Sequence, residues 1–161
     1  MSSIVVADAG PLHYLILIDC ADTLQNLFDR VLVPFAVRNE LLHLNTPDKV
    51  KNWISSARPW LSFEAVPAPR AIAGLHAGEA EALQLALLSK ADGILMDDLD
   101  GRAAARQLGL TVIGTIGLLE RASEKGFIDF PQAIANLRQT NMFVSNALLT
   151  EALERHRKRT T

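Results

Sequence analysis

With a single cysteine, Cys20, the chain can form no intrachain disulfide and no thiolate metal cluster. No apolar run reaches the length of a membrane span, and the opening "MSSIVVAD" has neither a charged n-region nor a cleavage site, so a cytoplasmic location away from membranes is expected. A formal net charge of −2 gives no global attraction to nucleic acid. Neither G-x-x-x-x-G-K-[ST] nor G-x-G-x-x-G occurs, and without a G-x-S-x-G elbow there is no sign of Ser-His-Asp catalysis. His13, His43, His76 and His156 are scattered without ligand spacing and read as structural or exposed. A calcium loop placing Asp98 and Asp100 at its third and fifth positions puts Met96 at the first and Gln107 at the twelfth, so it fails.

What the chain does have is a hydrophobic content of 49% over 161 residues, enough for one domain with a real core. Four runs are apolar without alternation, as strands buried on both faces are: "SIVVAD", "RVLVP", "GILMD" and "LTVIGT". Helical stretches lie between them. "PLHYLILI" follows the first run, with Pro11 at the first helical position and Gly10 as its cap. "PFAVRNELLHL" and "PDKVKNWISSA" also open on proline, and "HAGEAEALQLALLSKADG" is expected to stop at Gly93. "GRAAARQLG" and "GTIGLLERASEKG" stop at Gly109 and Gly126, and two further amphipathic pieces complete the chain. "RPWLSFEAVPAPR", with three prolines, reads as an extended connection. Strands alternating with helices predict an α/β sandwich with a mainly parallel sheet, whose functional groups gather beyond the carboxyl ends of the strands. A single domain over residues 1–161 is expected, with a core over about 1–130 and a helical C-terminal extension over about 131–161.

Acids occur in that position. Asp8 closes the first run, two positions too early to cap a helix beginning at Pro11. Glu40 falls on the stripe of Val37, Leu41 and Leu44, where an acid must be paired or bound. Glu79 and Glu81 open the longest helix, which is apolar nearly all round, so periodicity does not choose between them. Asp97, Asp98 and Asp100 end the third run; Asp100 is best placed to cap the following helix, which leaves Asp97 and Asp98 without a structural reason. If the strands share one parallel sheet, Asp8 and Asp98 project from the same edge. Oxygen donors without histidine or cysteine suit Mg²⁺ or Mn²⁺. Arg102, and Arg155, Arg157, Lys158 and Arg159 in the tail "RHRKR", are candidate phosphate contacts, the blander reading of the tail being a frayed, solvated helix end.

The segments "VVADAGPLHYL", "VLVPFAVRNEL", "GEAEALQLAL", "ILMDDLDGRAAARQLGLTVIGTIGLL" and "KGFI" resemble, in order, the PIN-domain proteins of the stand-alone, VapC-like branch once filed as a domain of unknown function. The resemblance implies a three-layer α/β/α sandwich and a metal-dependent nuclease acting on RNA. It carries over Asp8, Glu40, Glu79 (not Glu81) and Asp98 as catalytic acids and metal ligands, with Asp97 beside them and Asp100 as a further metal contact or helix cap. One or two Mg²⁺ or Mn²⁺ ions and water attack on phosphorus are implied, as are a small antitoxin partner and a homodimer. Two departures stand out: Ala9 and Met96 occupy positions where many relatives carry a hydroxyl. A non-catalytic PIN scaffold that binds RNA or protein is one rival reading. A receiver-type signalling domain is the other, though it wants an acid pair after the first strand and a lysine after the fifth.

Overall fold

A parallel strand covered by helices on both faces needs apolar side chains at every position, and the four apolar runs all become strands. The computed structural model describes residues 2–161, so Met1 of the expected domain lies outside the described residues. Its strands are β1 (Ile4–Ala7), β2 (Arg30–Pro34), β3 (Leu61–Glu64), β4 (Gly93–Leu95) and β5 (Val112–Ile113). They form one sheet in the order β3-β2-β1-β4-β5, with every pairing parallel. β3 corrects the reading of "RPWLSFEAVPAPR" as a mere connection. It is an edge strand, buried at Leu61 and only half-covered beyond, so it lacks the apolar run of its neighbours.

The helices are α1 (Ala9–Leu17), α2 (Leu24–Leu27), α3 (Phe35–Leu41), α4 (Asp48–Ser55), α5 (Ala77–Leu88), α6 (Leu99–Gln107), α7 (Thr115–Glu124), α8 (Phe130–Arg138) and α9 (Asn146–Thr160). Side chains alternate across β1. Val5 and Ala7 join one core, with Leu12 and Leu15 of α1, Leu118 of α7, Ile134 of α8 and Leu149 of α9. Val6 enters the other, with Leu83 and Ala86 of α5 and Ala105 of α6. The result is a three-layer α/β/α sandwich, and α8 and α9 of the expected extension share the first core. No helix among the described residues is long and apolar enough to cross a membrane.

Helix limits differ from expectation at α1 and α5, and also at the end of α3 and the start of α6. α1 begins at Ala9 with Asp8 at the N-cap, so Pro11 sits in the third helical position, where its missing N–H still costs no intrahelical bond. α5 ends at Leu88 and the chain turns through Lys90 at φ 52°; Gly93 is the first residue of β4, where a Cβ would stand 3.2 Å from Ile113. Gly109 and Gly126, at φ 78° and 79°, lie just beyond α6 and α7 as expected.

Candidate functional site

The all-parallel sheet puts the residues after β1, β2 and β4 at one edge. The Asp8 amide donates to the Leu95 carbonyl at 3.0 Å, the last rung of the β1–β4 ladder. By alternation its side chain falls on the Val6 side, toward α5. Asp8 is the backbone N-cap of α1, yet its carboxylate makes no capping bond. It is 4% exposed, and its Oδ1 has no hydrogen-bond partner among the described residues. Burial pushes its pKa up to about 7, and the neighbouring charges of Glu79 and Glu40 add to the rise. An unsatisfied buried oxygen costs about 1–3 kcal/mol, and more when it carries charge.

Glu79 is held by a capping box at the start of α5. The His76 Nδ1 accepts from the Glu79 amide at 3.3 Å, while Glu79 Oε1 accepts from the His76 amide at 3.2 Å. The Glu79 side chain is buried, and its pKa is raised by burial and by Asp98, which lies within hydrogen-bonding reach. Glu81 is half-buried, forms no ion pair among the described residues, and plays no part in the surroundings of Asp8.

Glu40 is not on a buried stripe: α3 stops at Leu41, and Leu44, which would have extended the stripe, is 88% exposed. Glu40 instead stands at the rim, with Oε1 3.8 Å from His76 Nδ1. Gly78 permits that approach, since a Cβ there would lie 2.9 Å from the same oxygen. His76, read from sequence as one of four scattered histidines, therefore joins two acids. The sequence signal was H-x-x-E, a capping box with an unusual cap residue.

The "DDLD" stretch also sorts differently from expectation. Asp98, not Asp100, caps α6, accepting from the Gly101 amide at 2.9 Å. Asp97 accepts from the amide and the hydroxyl of buried Thr115, at 2.8 and 2.6 Å, and so ties down the start of α7. Both acids thus have the structural reason they lacked in sequence. Asp100 is exposed in the first turn of α6 and makes no side-chain bond among the described residues. The positions lacking a hydroxyl are filled by packing: Ala9 and Met96 are buried, and Met96 Sδ occupies the space a Gly101 side chain would need.

Four of the five candidate cations make contacts within the chain. Arg102 donates to the Met96 carbonyl at 2.9 Å, close to Asp97. The tail is the exposed, solvated end of α9, and it continues as helix to Thr160. Arg155 and Arg159 pair with Glu120, Arg159 also approaches Glu124, and Arg157 pairs with Glu154. Lys158 makes no ion pair among the described residues.

The charges of Glu79 and Glu40 thus act on Asp8, and that of Asp98 acts on Glu79. These acids are not a finished cage: among the described residues no three His, Cys, Asp or Glu side chains are arranged to hold an ion. The physical reason is local, since Glu79 and Asp98 are each turned into a helix cap. The donor set nonetheless fits a hard divalent cation, being oxygen-rich, with one buried carboxylate oxygen left without a donor.

A family model described as PIN domain matches residues 4–158. Among solved structures, the chain is similar to a PilT N-terminus domain protein from the hyperthermophilic archaeon Sulfolobus solfataricus P2. The two are 13% identical with a TM-score of 0.48, and the match covers 88% of this chain and 99% of the other. None of the curated proteins matches.

Proposed function

The chain belongs to the PIN-domain family, and on that premise we propose that it is a Mg²⁺- or Mn²⁺-dependent endoribonuclease whose catalytic acids are Asp8, Glu40, Glu79 and Asp98. The observation that carries the reading is Asp8. A chain that buries a carboxylate between two other acids, with one oxygen unpartnered, gains stability when a cation neutralises it. Asp8, Glu79 and Asp98 would hold the ion, with Glu40 at the rim. When bound, such an ion supplies charge neutralisation and Lewis-acid activation for phosphodiester hydrolysis. The chain's own part is to fix the donors: β1 holds Asp8, the His76 capping box holds Glu79, and the Asp97–Thr115 clamp fixes the strand end that carries Asp98. On the resemblance alone, the reading extends to a homodimer and a small antitoxin partner.

Cleavage of unstructured RNA in Mn²⁺ is the expected result, abolished by EDTA and by Asp8→Asn or Asp98→Asn. Activity that survives EDTA or either substitution would defeat the reading. The non-catalytic scaffold draws support from Ala9 and Met96, which bring no hydroxyl to the site; in that case RNA binds and stays intact in the same assay. A receiver domain is disfavoured, because Gly114 and Thr115 follow β5 where it requires lysine.

A further inference from the structure

The His76 ring stands against two of the four acids, with Nε2 3.4 Å from Glu79 Oε1 and Nδ1 3.8 Å from Glu40 Oε1. Its two nitrogens differ in what they touch. Nδ1 accepts from the Glu79 amide at 3.3 Å, so it carries no proton, and the one N–H of the ring is at Nε2. The approach of Nε2 to Glu79 Oε1 is not a hydrogen bond; that oxygen accepts from the His76 amide at 3.2 Å. Among the described residues Nε2–H has no acceptor. The His76 side chain is 53% exposed, whereas that of Glu79 is 7% exposed, so the ring lies at the mouth of the cluster and not within it. Gly78 keeps this place open, since a Cβ there would come within 3.3 Å of His76 Cε1 as well as 2.9 Å of Glu40 Oε1.

We propose that His76 is a substrate-binding residue whose Nε2–H donates to a phosphodiester oxygen of the bound strand. The inference rests on the nuclease reading and deepens it. Asp8, Glu40, Glu79 and Asp98, once ionised, only accept hydrogen bonds, and so do the free oxygens of a phosphodiester. Apart from a bound cation, a site of acceptors alone gives such a group nothing to orient it. A single donor beside the acids fixes how the phosphate sits, and reaction geometry depends on that. The capping box makes the donor rigid: with Nδ1 tied to the Glu79 amide, Nε2–H has one direction. His76 neither takes nor gives a proton in this role.

Two substitutions in the full chain separate the cap from the donor. An asparagine Oδ1 stands as many bonds from the backbone as His76 Nδ1, and a glutamine Nε2 as many as His76 Nε2. His76→Asn therefore keeps the cap and loses the donor, and His76→Gln does the reverse. Melting curves in EDTA should place His76→Asn at or above the wild type, asparagine being a favoured N-cap, and His76→Gln lower by roughly 1–8 °C. Binding of a short oligoadenylate in Ca²⁺ should run in the opposite order. His76→Asn should bind roughly 5- to 30-fold more weakly than the wild type, and His76→Gln closer to it. On cleavable RNA in Mn²⁺, the loss in His76→Asn should appear in KM. If His76→Asn binds and cuts like the wild type, His76 is a cap alone; the proposal is then wrong and the nuclease reading survives. If Mn²⁺ raises the melting temperature of the wild type but of neither variant, Nε2 is a metal ligand, which also overturns the proposal. If the wild type neither binds nor cuts, both readings fall together.

Discussion

Asp8→Asn should raise the melting temperature of the metal-free protein by roughly 3–12 °C at pH 8 and change it little at pH 4. In the folded chain the Asp8 carboxyl titrates at about 7, against 3.8 for an unburied aspartate. Between those values the folded state holds a proton that the unfolded state has lost, so stability falls as pH rises through the window. Below about 4 both states are protonated and there is no penalty; above about 7 the penalty is complete. Three pKa units correspond to about 4 kcal/mol, and the substitution recovers part of it, about 1–4 kcal/mol, because asparagine stays neutral. Its amide can also donate toward Glu79 or Glu40, which the carboxylate cannot. Melting curves in EDTA between pH 4 and pH 8 decide the point. A mutant that is less stable at pH 8, with the pH dependence of the wild type, would show that the Asp8 charge is already compensated.

The second large effect is of opposite sign. Asp97→Ala should destabilise the protein by about 2–4 kcal/mol, because two charge-assisted hydrogen bonds vanish and leave the Thr115 amide and hydroxyl without partners. Thr115 is fully buried, so water does not replace them. The α7 N-terminus also loses a carboxylate that complements its dipole, since Gly114 offers no side-chain cap. Adding Thr115→Val should return part of the loss, because removing both partners costs less than orphaning one. If Asp97→Ala melts like the wild type but no longer responds to Mn²⁺, Asp97 is a metal ligand and not the clamp described here.

The sequence carried β1, β2 and β4 plainly, because strands at the centre of a parallel sheet must be apolar throughout. β3 was hidden by its place at the edge, where the residues after Leu61 stay partly exposed and prolines flank the segment. The acids themselves were legible, but their side-chain duties were not. Whether Asp98 or Asp100 caps α6 turns on a two-residue difference in where the helix starts, at Leu99 and not at Gly101. Glu40 was misplaced for a similar reason: its supposed stripe needed a helix reaching Leu44, and α3 ends at Leu41. The basic tail shows a different limit. Arg155 and Arg159 find Glu120 more than thirty residues away, a pairing that no local pattern announces.

The most direct test of the central claim is the response of the melting temperature to Mn²⁺ at pH 8, measured for the wild type and Asp8→Asn. If the acids exist to hold a divalent cation, an excess of Mn²⁺ near a hundred times its dissociation constant should stabilise the wild type by about 2.7 kcal/mol. That is a rise of roughly 5–10 °C over EDTA, while Asp8→Asn should move by no more than about 2 °C. Equal shifts in both proteins, or none in either, would contradict the account and leave the acid cluster as architecture alone.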